Sequence, residues 1–256
     1  MPQPVALVTG ASRGIGRAIA LALARNGFSV AANDRSVGED LETLRQEIEG
    51  TGNTALALPF DVSDLSAHEP ALGRIEATLG PLSTLVNNAG VGVLERGDPL
   101  DVSEASFDRC MAVNAKAQFF LSQAVARRFL AQPKDAERQP SIINVTSSNA
   151  TAVAVPRSEY CASKAAAAMA SKCFAARLGP EGIAVYDVQP GLIETPMTAP
   201  VIDSYKARAA DGLCLFPWVG QPEDVATVVA SLATGRLPYT TGQVISVDGG
   251  MLVPRF

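Results

Sequence analysis

The chain has 256 residues, of which 47% are apolar and 18% charged, and its formal net charge is −5. This length and composition predict a globular protein with a sizeable core and exclude a largely disordered one. The acidic balance contains no block of like charges, which argues against a nucleic acid or an anionic membrane surface as the main partner.

The number and spacing of the cysteine and histidine residues indicate whether the chain has a metal site and which cellular compartment suits it. The four cysteines show no C-x-x-C spacing and the chain has one histidine, so we expect no metal site. Free thiols suit a reducing compartment. The sequence shows no signal peptide and no apolar run long enough to span a bilayer, and we expect a cytoplasmic protein.

A glycine-rich turn follows the first predicted strand, over 4–9. Its spacing is G-x-x-x-G-x-G, and a helix is predicted over 17–26. Glycines allow close approach of a ligand, and a helix start offers free N–H groups to a pyrophosphate, although loops without ligands also use glycine. The predicted cofactor-binding residues here are Gly10, Ser12, Arg13, Gly14, Ile15 and Gly16.

An acidic residue follows the second predicted strand, over 28–33. Such a residue, about twenty positions after the glycines, can accept hydrogen bonds from ribose hydroxyls and would repel a 2′-phosphate. Asp34 therefore favours NAD over NADP. Arg35 and Arg13 blur this preference because either could bind a phosphate, so NADP stays possible.

The third predicted strand, over 55–60, ends at Asp61 and Val62. Asp61 either reaches an adenine amino group or caps the next helix. His68 lies in a polar stretch, where we expect an exposed residue without a catalytic role.

The fourth strand, over 83–86, leads into Asn87-Asn88-Ala89-Gly90. Two asparagines at a strand end can bond to neighbouring backbone and fix the loop, and Gly90 would leave room for a cofactor. A long helical pattern follows over 101–131. Asn114 lies in its interior, where a buried hydrogen bond at a bend would explain a polar residue. An exposed loop is predicted over 132–140.

Hydroxyl side chains follow the fifth strand, over 141–145, at the edge where open α/β sheets bind ligands. The next helix, over 160–178, places Tyr160 and Lys164 on one face, one turn apart. A nearby cation favours the phenolate and lowers the tyrosine pKa, so the pair can act as a general acid or base. The alternative is a packed tyrosine whose lysine reaches water. The helix carries few charges, which predicts burial against the sheet and another subunit, or beneath the segment 197–216.

A sixth strand, over 183–188, precedes a segment over 197–218 that has no clean periodicity. We expect an irregular lid whose apolar end covers a substrate. A helix from Pro222 and a strand over 243–247 complete the pattern. The alternation of strands and helices predicts one doubly wound α/β domain over 1–256, with a parallel sheet and helices on both faces.

These motifs together resemble the short-chain dehydrogenase/reductase family over nearly the whole chain. They are T-G-x-x-x-G-x-G at 9–16, Asp61, Asn87 to Gly90, Asn114, Ser147, Y-x-x-x-K at 160–164, and Pro190-Gly191. Within the family the chain is most similar to the branch of 3-oxoacyl-(acyl-carrier-protein) reductases, which also contains sugar and alcohol dehydrogenases. The resemblance implies a Rossmann-type sheet of seven strands in the order 3-2-1-4-5-6-7, an NAD or NADP cofactor and a homotetramer.

The resemblance also implies a role for each catalytic residue. Tyr160 would be the acid/base, and Lys164 would bind the nicotinamide ribose and lower the tyrosine pKa. Ser147 would hold the substrate oxygen, and Asn114 a water that links Lys164 to solvent. The further cofactor-binding residues are Asp61, Val62, Asn88, Ala89, Gly90, Pro190 and Gly191, with Ile193 and Thr195 at the carboxamide.

The expected reaction is hydride transfer between a nicotinamide and a small carbonyl or alcohol substrate. A 3-oxoacyl reductase is the first hypothesis, and a dehydrogenase of sugars, polyols or other small alcohols is the second. Other chemistry on the same fold and a non-catalytic nucleotide-binding module are further alternatives, because fold does not fix function.

Overall fold

A computed structural model describes residues 3–36, 38–133 and 139–255. Seven parallel strands form a sheet in the order β3-β2-β1-β4-β5-β6-β7, which confirms the predicted fold class and order. The strands are β1 (Val5–Val8), β2 (Ser29–Asp34), β3 (Ala55–Pro59), β4 (Leu82–Asn87), β5 (Ser141–Val145), β6 (Ala184–Pro190) and β7 (Val244–Val247).

Helices connect successive strands, and a π-helical segment, Met111–Ala117, joins two of them. They are α1 (Gly14–Arg25), α2 (Glu39–Gly50), α3 (His68–Leu79), α4 (Glu104–Cys110), α5 (Gln118–Ala131), α6 (Ser158–Leu178), α7 (Ile202–Arg208) and α8 (Pro222–Ala233). No helix in the described parts of the chain is long and apolar enough to cross a bilayer.

The core consists of two apolar clusters, one on each face of the sheet. Successive residues of β1 alternate between them: Ala6 and Val8 belong to one cluster, and Val5 and Leu7 to the other. The first cluster includes buried side chains of α1, α2 and α8, and the second includes those of α3, α5 and α6. A strand covered on both faces must be apolar at every position, which explains the unbroken run at 5–8.

Two helix boundaries differ from the predicted ones for local reasons. Helix α1 begins at Gly14 and not at residue 17, because the last two glycines of the turn already belong to its first turn. The helix predicted over 101–131 begins at Glu104 with Ser103 as its N-cap, and it is interrupted by the π segment. The loop predicted over 132–140 lies partly outside the described residues.

The segment 197–218 is more regular than predicted. It contains a 3₁₀ turn (Ala199–Val201), helix α7 and a short π-helical stretch (Ala209–Leu213). Its buried Tyr205, Ala209 and Cys214 form a small third cluster with Leu192 and Val219, which flank the segment. The periodicity was hidden because the two helical pieces are too short to show a repeating apolar face.

The expectation that His68 is exposed was wrong. The side chain is 3% exposed, and its Nε2 lies 2.8 Å from the carbonyl oxygen of Val62. Its ring meets Phe60 edge-on at 6.1 Å. The surrounding polar residues face solvent while this ring turns inward, so His68 fixes the turn between β3 and α3.

Candidate active site

The candidate site lies at the carboxyl edge of the sheet, between β1 and β4. The strands β1 to β3 extend to one side of this point and β4 to β7 to the other. The ends of β1 and β4 are tied together there: Asn88 Nδ2 donates to the carbonyl oxygens of Thr9 at 2.9 Å and Gly10 at 3.1 Å. In return, the Thr9 hydroxyl oxygen accepts from the backbone N–H groups of Asn88 and Ala89, both at 3.0 Å. The predicted asparagine anchor is thus confirmed for Asn88. Thr9 was not among the predicted site residues, although it opens the glycine motif.

The glycine turn leaves little room for side chains. Gly10 and Gly14 have φ values of +63° and +54°, a region that favours glycine. A Cβ added to Gly16 would lie 2.1 Å from the Gly10 carbonyl oxygen. Arg13 is the N-cap of α1 and makes no side-chain cap hydrogen bond. The first N–H groups of α1 are therefore not capped by that side chain and suit an anionic group such as a pyrophosphate.

Asp34 is linked directly to this turn. One carboxylate oxygen accepts a hydrogen bond from the Ser12 hydroxyl, and the other accepts from the Arg35 backbone N–H at 2.7 Å. The carboxylate is half-buried, whereas the side chains of Arg35 and Arg13 are exposed. The acid predicted to meet a ribose therefore lies beside the predicted phosphate turn.

Asp61 lies at the end of β3 and does not cap the following helix. Its Oδ1 accepts from the N–H of Ser63 at 2.8 Å and from the Ser63 hydroxyl at 2.7 Å. The N-cap of the next helical turn is Asp64. The capping alternative for Asp61 was wrong because the chain makes a separate turn first. The predicted contact with an adenine stays a prediction, and Val62 beside it is buried.

Tyr160 and Lys164 lie on one face of α6, as their spacing predicts. Lys164 is 4% exposed, and its Nζ donates to the carbonyl oxygen of Val145, at the end of β5, at 3.1 Å. The same Nζ lies 5.8 Å from the centre of the Tyr160 ring. Ser147 follows two residues after Val145 and is also buried. The sheet edge thus brings three of the four predicted catalytic side chains together.

The protonation of this pair differs from the expectation. Burial raises the pKa of Tyr160, and the nearby Ser147 hydroxyl and the Arg157 charge oppose this shift. Burial lowers the pKa of Lys164 to about 8, against the opposing charge of Asp187. The net shift of the tyrosine pKa in the free protein is therefore upward, opposite to the predicted lowering. The Lys164 ammonium is directed to a backbone carbonyl, and burial is the largest influence on the phenol.

Asn114 lies in the π segment and anchors the loop after β4. Its Oδ1 accepts from the Val91 N–H at 2.8 Å, and its Nδ2 donates to the Val91 carbonyl at 3.0 Å and to the Ser163 hydroxyl at 3.0 Å. The predicted buried hydrogen bond at a bend is confirmed. A Cβ added to Gly90 would lie 3.3 Å from Asn114 Oδ1 and 3.5 Å from Lys164 Nζ. A side chain at position 90 would therefore crowd the place where these two groups meet.

The segment after β6 lies close to the glycine turn. A Cβ on Gly14 would lie 3.6 Å from both Thr195 and Pro196. Pro190 ends β6, and Gly191 is pressed against Asp248, which a Cβ would approach to 2.6 Å. Ile193, two residues after Gly191, is 4% exposed and belongs to the first apolar cluster.

A buried carboxylate lies behind the catalytic side chains. Asp187, on β6, is 2% exposed and accepts hydrogen bonds from the Thr146 hydroxyl and from Gln189 Nε2 at 2.8 Å. Burial raises its pKa, while these hydrogen bonds and the charge of Lys164 oppose the shift. Asp187 was not among the predicted site residues, because the apolar pattern of β6 gives no reason to expect a functional carboxylate within a buried strand.

The described residues contain no group of three or more histidine, cysteine, aspartate or glutamate side chains arranged to hold a metal ion. A separate cavity of about 430 Å³ lies at the other end of 197–218. It is lined by Phe216 and Trp218, whose rings stack at 4.8 Å, and by Gly249 and Gly250. The lining does not include Tyr160, Lys164 or Ser147.

Known proteins match nearly the whole chain in sequence. A family model described as Enoyl-(Acyl carrier protein) reductase matches residues 10–252. The 3-oxoacyl-(acyl-carrier-protein) reductase FabG of Staphylococcus aureus is 37% identical over 250 residues, which cover 96% of this chain and 97% of the relative.

Solved structures give the same picture. A 3-oxoacyl-(acyl-carrier-protein) reductase from Brucella melitensis in complex with NAD superposes with a TM-score of 0.95 at 36% identity, covering 100% of both chains. A blue fluorescent protein from a metagenomic library, in complex with NADPH, superposes with a TM-score of 0.87 at 34% identity, covering 98% of each.

Proposed function

Because this chain belongs to the short-chain dehydrogenase/reductase family, we propose that it is an NAD(P)-dependent oxidoreductase that interconverts a secondary alcohol and a ketone. One observation carries the proposal: Tyr160, Lys164 and Ser147 converge at the carboxyl end of β5, and the loop 88–90 lies against Lys164 and bonds to the glycine turn. We propose a 3-oxoacyl-type substrate and one domain over 1–256 with a lid over 197–218.

The residues present suit a nicotinamide dinucleotide. The N-terminus of α1 lacks a side-chain cap, and an acid at the end of β2 lies beside it. Gly10 to Gly16 would hold the pyrophosphate, and Asp34 the adenosine ribose. Asp61, Val62 and Asn88 to Gly90 would face the adenosine half, and Pro190 to Thr195 the nicotinamide half. The bound cofactor would supply or accept the hydride.

The protein groups would manage the proton and the developing charge. A phenol with a raised pKa is protonated at neutral pH, so Tyr160 is ready to donate to the oxygen of a ketone undergoing reduction. Ser147 would donate a second hydrogen bond to that oxygen. Lys164 would hold the nicotinamide ribose and stabilise the phenolate left behind. Asn114 would hold a water that connects Lys164 to solvent. In oxidation, the phenolate would take the hydroxyl proton.

Exposed apolar side chains at the site favour an acyl substrate over a sugar or polyol. Leu94, Val153 and Met197 are 59%, 85% and 58% exposed. They follow β4, β5 and β6, so all three lie at the carboxyl edge that carries Tyr160. An apolar rim gains free energy by covering an alkyl chain and gains none from a polyol.

A substrate panel tests this function. We expect 3-oxoacyl thioesters and 3-oxo esters to be reduced with a higher kcat/KM than ketoses, and polyols to be poor substrates in oxidation. Each compound is assayed with NADH and NADPH, or with NAD and NADP for the alcohols. A preference for polyols would instead support the second hypothesis. Cofactor binding without turnover of any compound would support a non-catalytic module.

We further propose that the protein is a cytoplasmic homotetramer. All four cysteines are free thiols, which suits a reducing compartment. Phe119, Phe120 and Met169, on α5 and α6, are 38%, 38% and 58% exposed, and apolar side chains of this size favour a covered surface.

A further inference from the structure

An unpaired arginine lies against the catalytic tyrosine. Arg157 immediately precedes α6, and its guanidinium carbon is 5.6 Å from the centre of the Tyr160 ring. The side chain is half-buried. It makes no ion pair or side-chain hydrogen bond with any residue in 3–36, 38–133 or 139–255. Contact with the ring face is therefore its main interaction within that part of the chain.

The other half-buried arginines of the described chain all form ion pairs with carboxylates. Arg17 pairs with Glu47, Arg45 with Glu42 and Glu49, and Arg128 with Glu69 and Glu76. A guanidinium carries five N–H donors, and withdrawing it from water without a partner is unfavourable. Arg157 departs from this pattern, which indicates that its partner comes from outside the chain.

The surroundings of Arg157 do not supply the missing negative charge. The nearest acid in sequence, Glu159, is 3% exposed and accepts a hydrogen bond from the Ser106 hydroxyl at 2.6 Å. The neighbouring Pro156 carbonyl accepts from the N–H of Gly97 at 3.3 Å, which joins the loops after β4 and β5 beside the arginine. These loops also carry the exposed Leu94 and Val153. A ligand between them would meet an apolar rim and the Arg157 guanidinium.

We propose that Arg157 binds a carboxylate of the substrate, so that the preferred substrate is a short oxo or hydroxy acid and not its neutral ester. This inference rests on the proposed oxidoreductase function and names its substrate class. A guanidinium binds a carboxylate through two parallel N–H···O hydrogen bonds. Because the guanidinium lies against the ring of the reacting tyrosine, the carboxylate is expected close to the reacting carbonyl.

The test uses two pairs of ketones, in each of which an acid and its ethyl ester share the reacting carbonyl and only the acid carries a charge. Acetoacetate and ethyl acetoacetate share the reacting carbonyl, and 3-oxohexanoate and its ethyl ester form a longer pair. We expect the wild type to have the higher kcat/KM for each acid. Arg157→Gln should lower the acid-to-ester ratio of kcat/KM by about 10- to 100-fold, the effect expected for a charge-assisted hydrogen bond. Arg157→Lys should restore part of the ratio.

Arg177→Gln is the matched control, because this exposed arginine lies on the last turn of the same helix and pairs with Glu181. It should leave the acid-to-ester ratio at the wild-type value. Thermal unfolding of each variant checks that the fold is intact. An equal loss on acid and ester in Arg157→Gln would overturn the proposal, because it would show that Arg157 acts only through the acidity or placement of Tyr160.

The failure of this inference and that of the proposed function are distinguishable. If the wild type reduces the esters as well as the acids, Arg157 binds no substrate carboxylate, yet the oxidoreductase function stands. If the wild type reduces none of the four ketones and nothing in the wider panel, the proposed function fails and the inference falls with it.

Discussion

At the scale of single residues, Tyr160 is the group on which the proposed chemistry depends. We expect Tyr160→Phe to reduce kcat by at least about 100-fold, because the variant keeps the ring and loses the proton donor. The Kd of NADH should change less than about threefold, measured by fluorescence titration. Retention of most of the activity would contradict the assignment. Tyr205→Phe, on α7, is a control that removes a hydroxyl outside the catalytic group.

Cofactor choice is also set by one side chain in our proposal. Asp34→Ala should weaken NAD binding and raise the NADP-to-NAD ratio of kcat/KM by about 10-fold or more, because it removes the ribose acceptor and the repulsion of a 2′-phosphate. Asp40→Ala, on the exposed first turn of α2, removes a charge elsewhere and should leave that ratio unchanged. A ratio that is the same in wild type and Asp34→Ala would show that Asp34 does not select the cofactor.

Lys164 destabilises the free protein, and the sign of the effect follows from its pKa. The pKa of about 8 in the folded protein lies below the ordinary lysine value of 10.5, so the unfolded chain binds more protons between these two pH values. Stability from this group therefore rises with pH across that window and is at its lowest below pH 8. Lys164→Met should raise the free energy of unfolding at pH 7 by up to about 3 kcal/mol, and the gain should vanish above about pH 10.5.

Urea unfolding at pH 7 and at pH 10.5 measures this difference. Lys172→Met, at an exposed position of the same helix, controls for the change in side chain. If Lys164→Met is less stable than the wild type at pH 7, the hydrogen bond to Val145 outweighs the desolvation of the ammonium and the reasoning is wrong.

Residue-level features divide into those that sequence can predict and those that it cannot. The i, i+4 spacing of Tyr160 and Lys164 fixes a shared helix face, and the structure has that face. The direction of the ammonium toward the Val145 carbonyl depends on β5, which is remote in sequence. The tyrosine pKa therefore could not be predicted. The burial of His68 against Phe60 and the lack of a partner for Arg157 are tertiary facts of the same kind.

At the scale of elements, the turn between β1 and α1 has room for glycine at position 16 but not for the methyl group of alanine. A Cβ on Gly16 would lie 2.1 Å from a backbone oxygen, which cannot move away as a side chain could. Gly16→Ala should lower the free energy of unfolding by roughly 1–3 kcal/mol and weaken NADH binding.

The matched control for Gly16 lies in another helix. Gly73, in α3, has no heavy atom within 4 Å of its added Cβ. Gly73→Ala should stabilise the protein by about 0.4–1 kcal/mol through helix propensity and the unfolded chain. Chemical unfolding and fluorescence titration compare the two variants. Equal stability of both would refute the steric argument.

The order of the elements was predictable, and their internal irregularities were only partly so. Buried four- to seven-residue runs alternate with helical patterns, and parallel strands need helical crossovers, so the sheet follows from the pattern. The π segment contains Asn114, where the sequence predicts a buried hydrogen bond at a bend but not the type of helix. The helical content of 197–218 was missed because its packing on Leu192 and Val219 is visible in three dimensions only.

At the scale of the whole molecule, the outer surface of α5 and α6 makes a prediction about assembly. If this surface is an interface between copies, Met169→Glu should lower the molar mass measured by light scattering after size exclusion, because it places a charge in an apolar contact. Leu100→Glu is the control, since Leu100 is 91% exposed and lies away from these helices. A wild type that elutes as a monomer, or a Met169→Glu variant of unchanged mass, would contradict the prediction.

The third apolar cluster has a consequence for how substrate preference can change among related chains. Tyr205 and Ala209 pack with Leu192, Cys214 and Val219, and none of these belongs to the two large clusters on the sheet. The segment 197–218, which we propose as the lid, thus packs on a small apolar cluster separate from the two large ones. Mutations in the segment 197–218 should leave the sheet and its covering helices intact. Related chains can therefore acquire new substrates by exchanging this segment of about twenty residues.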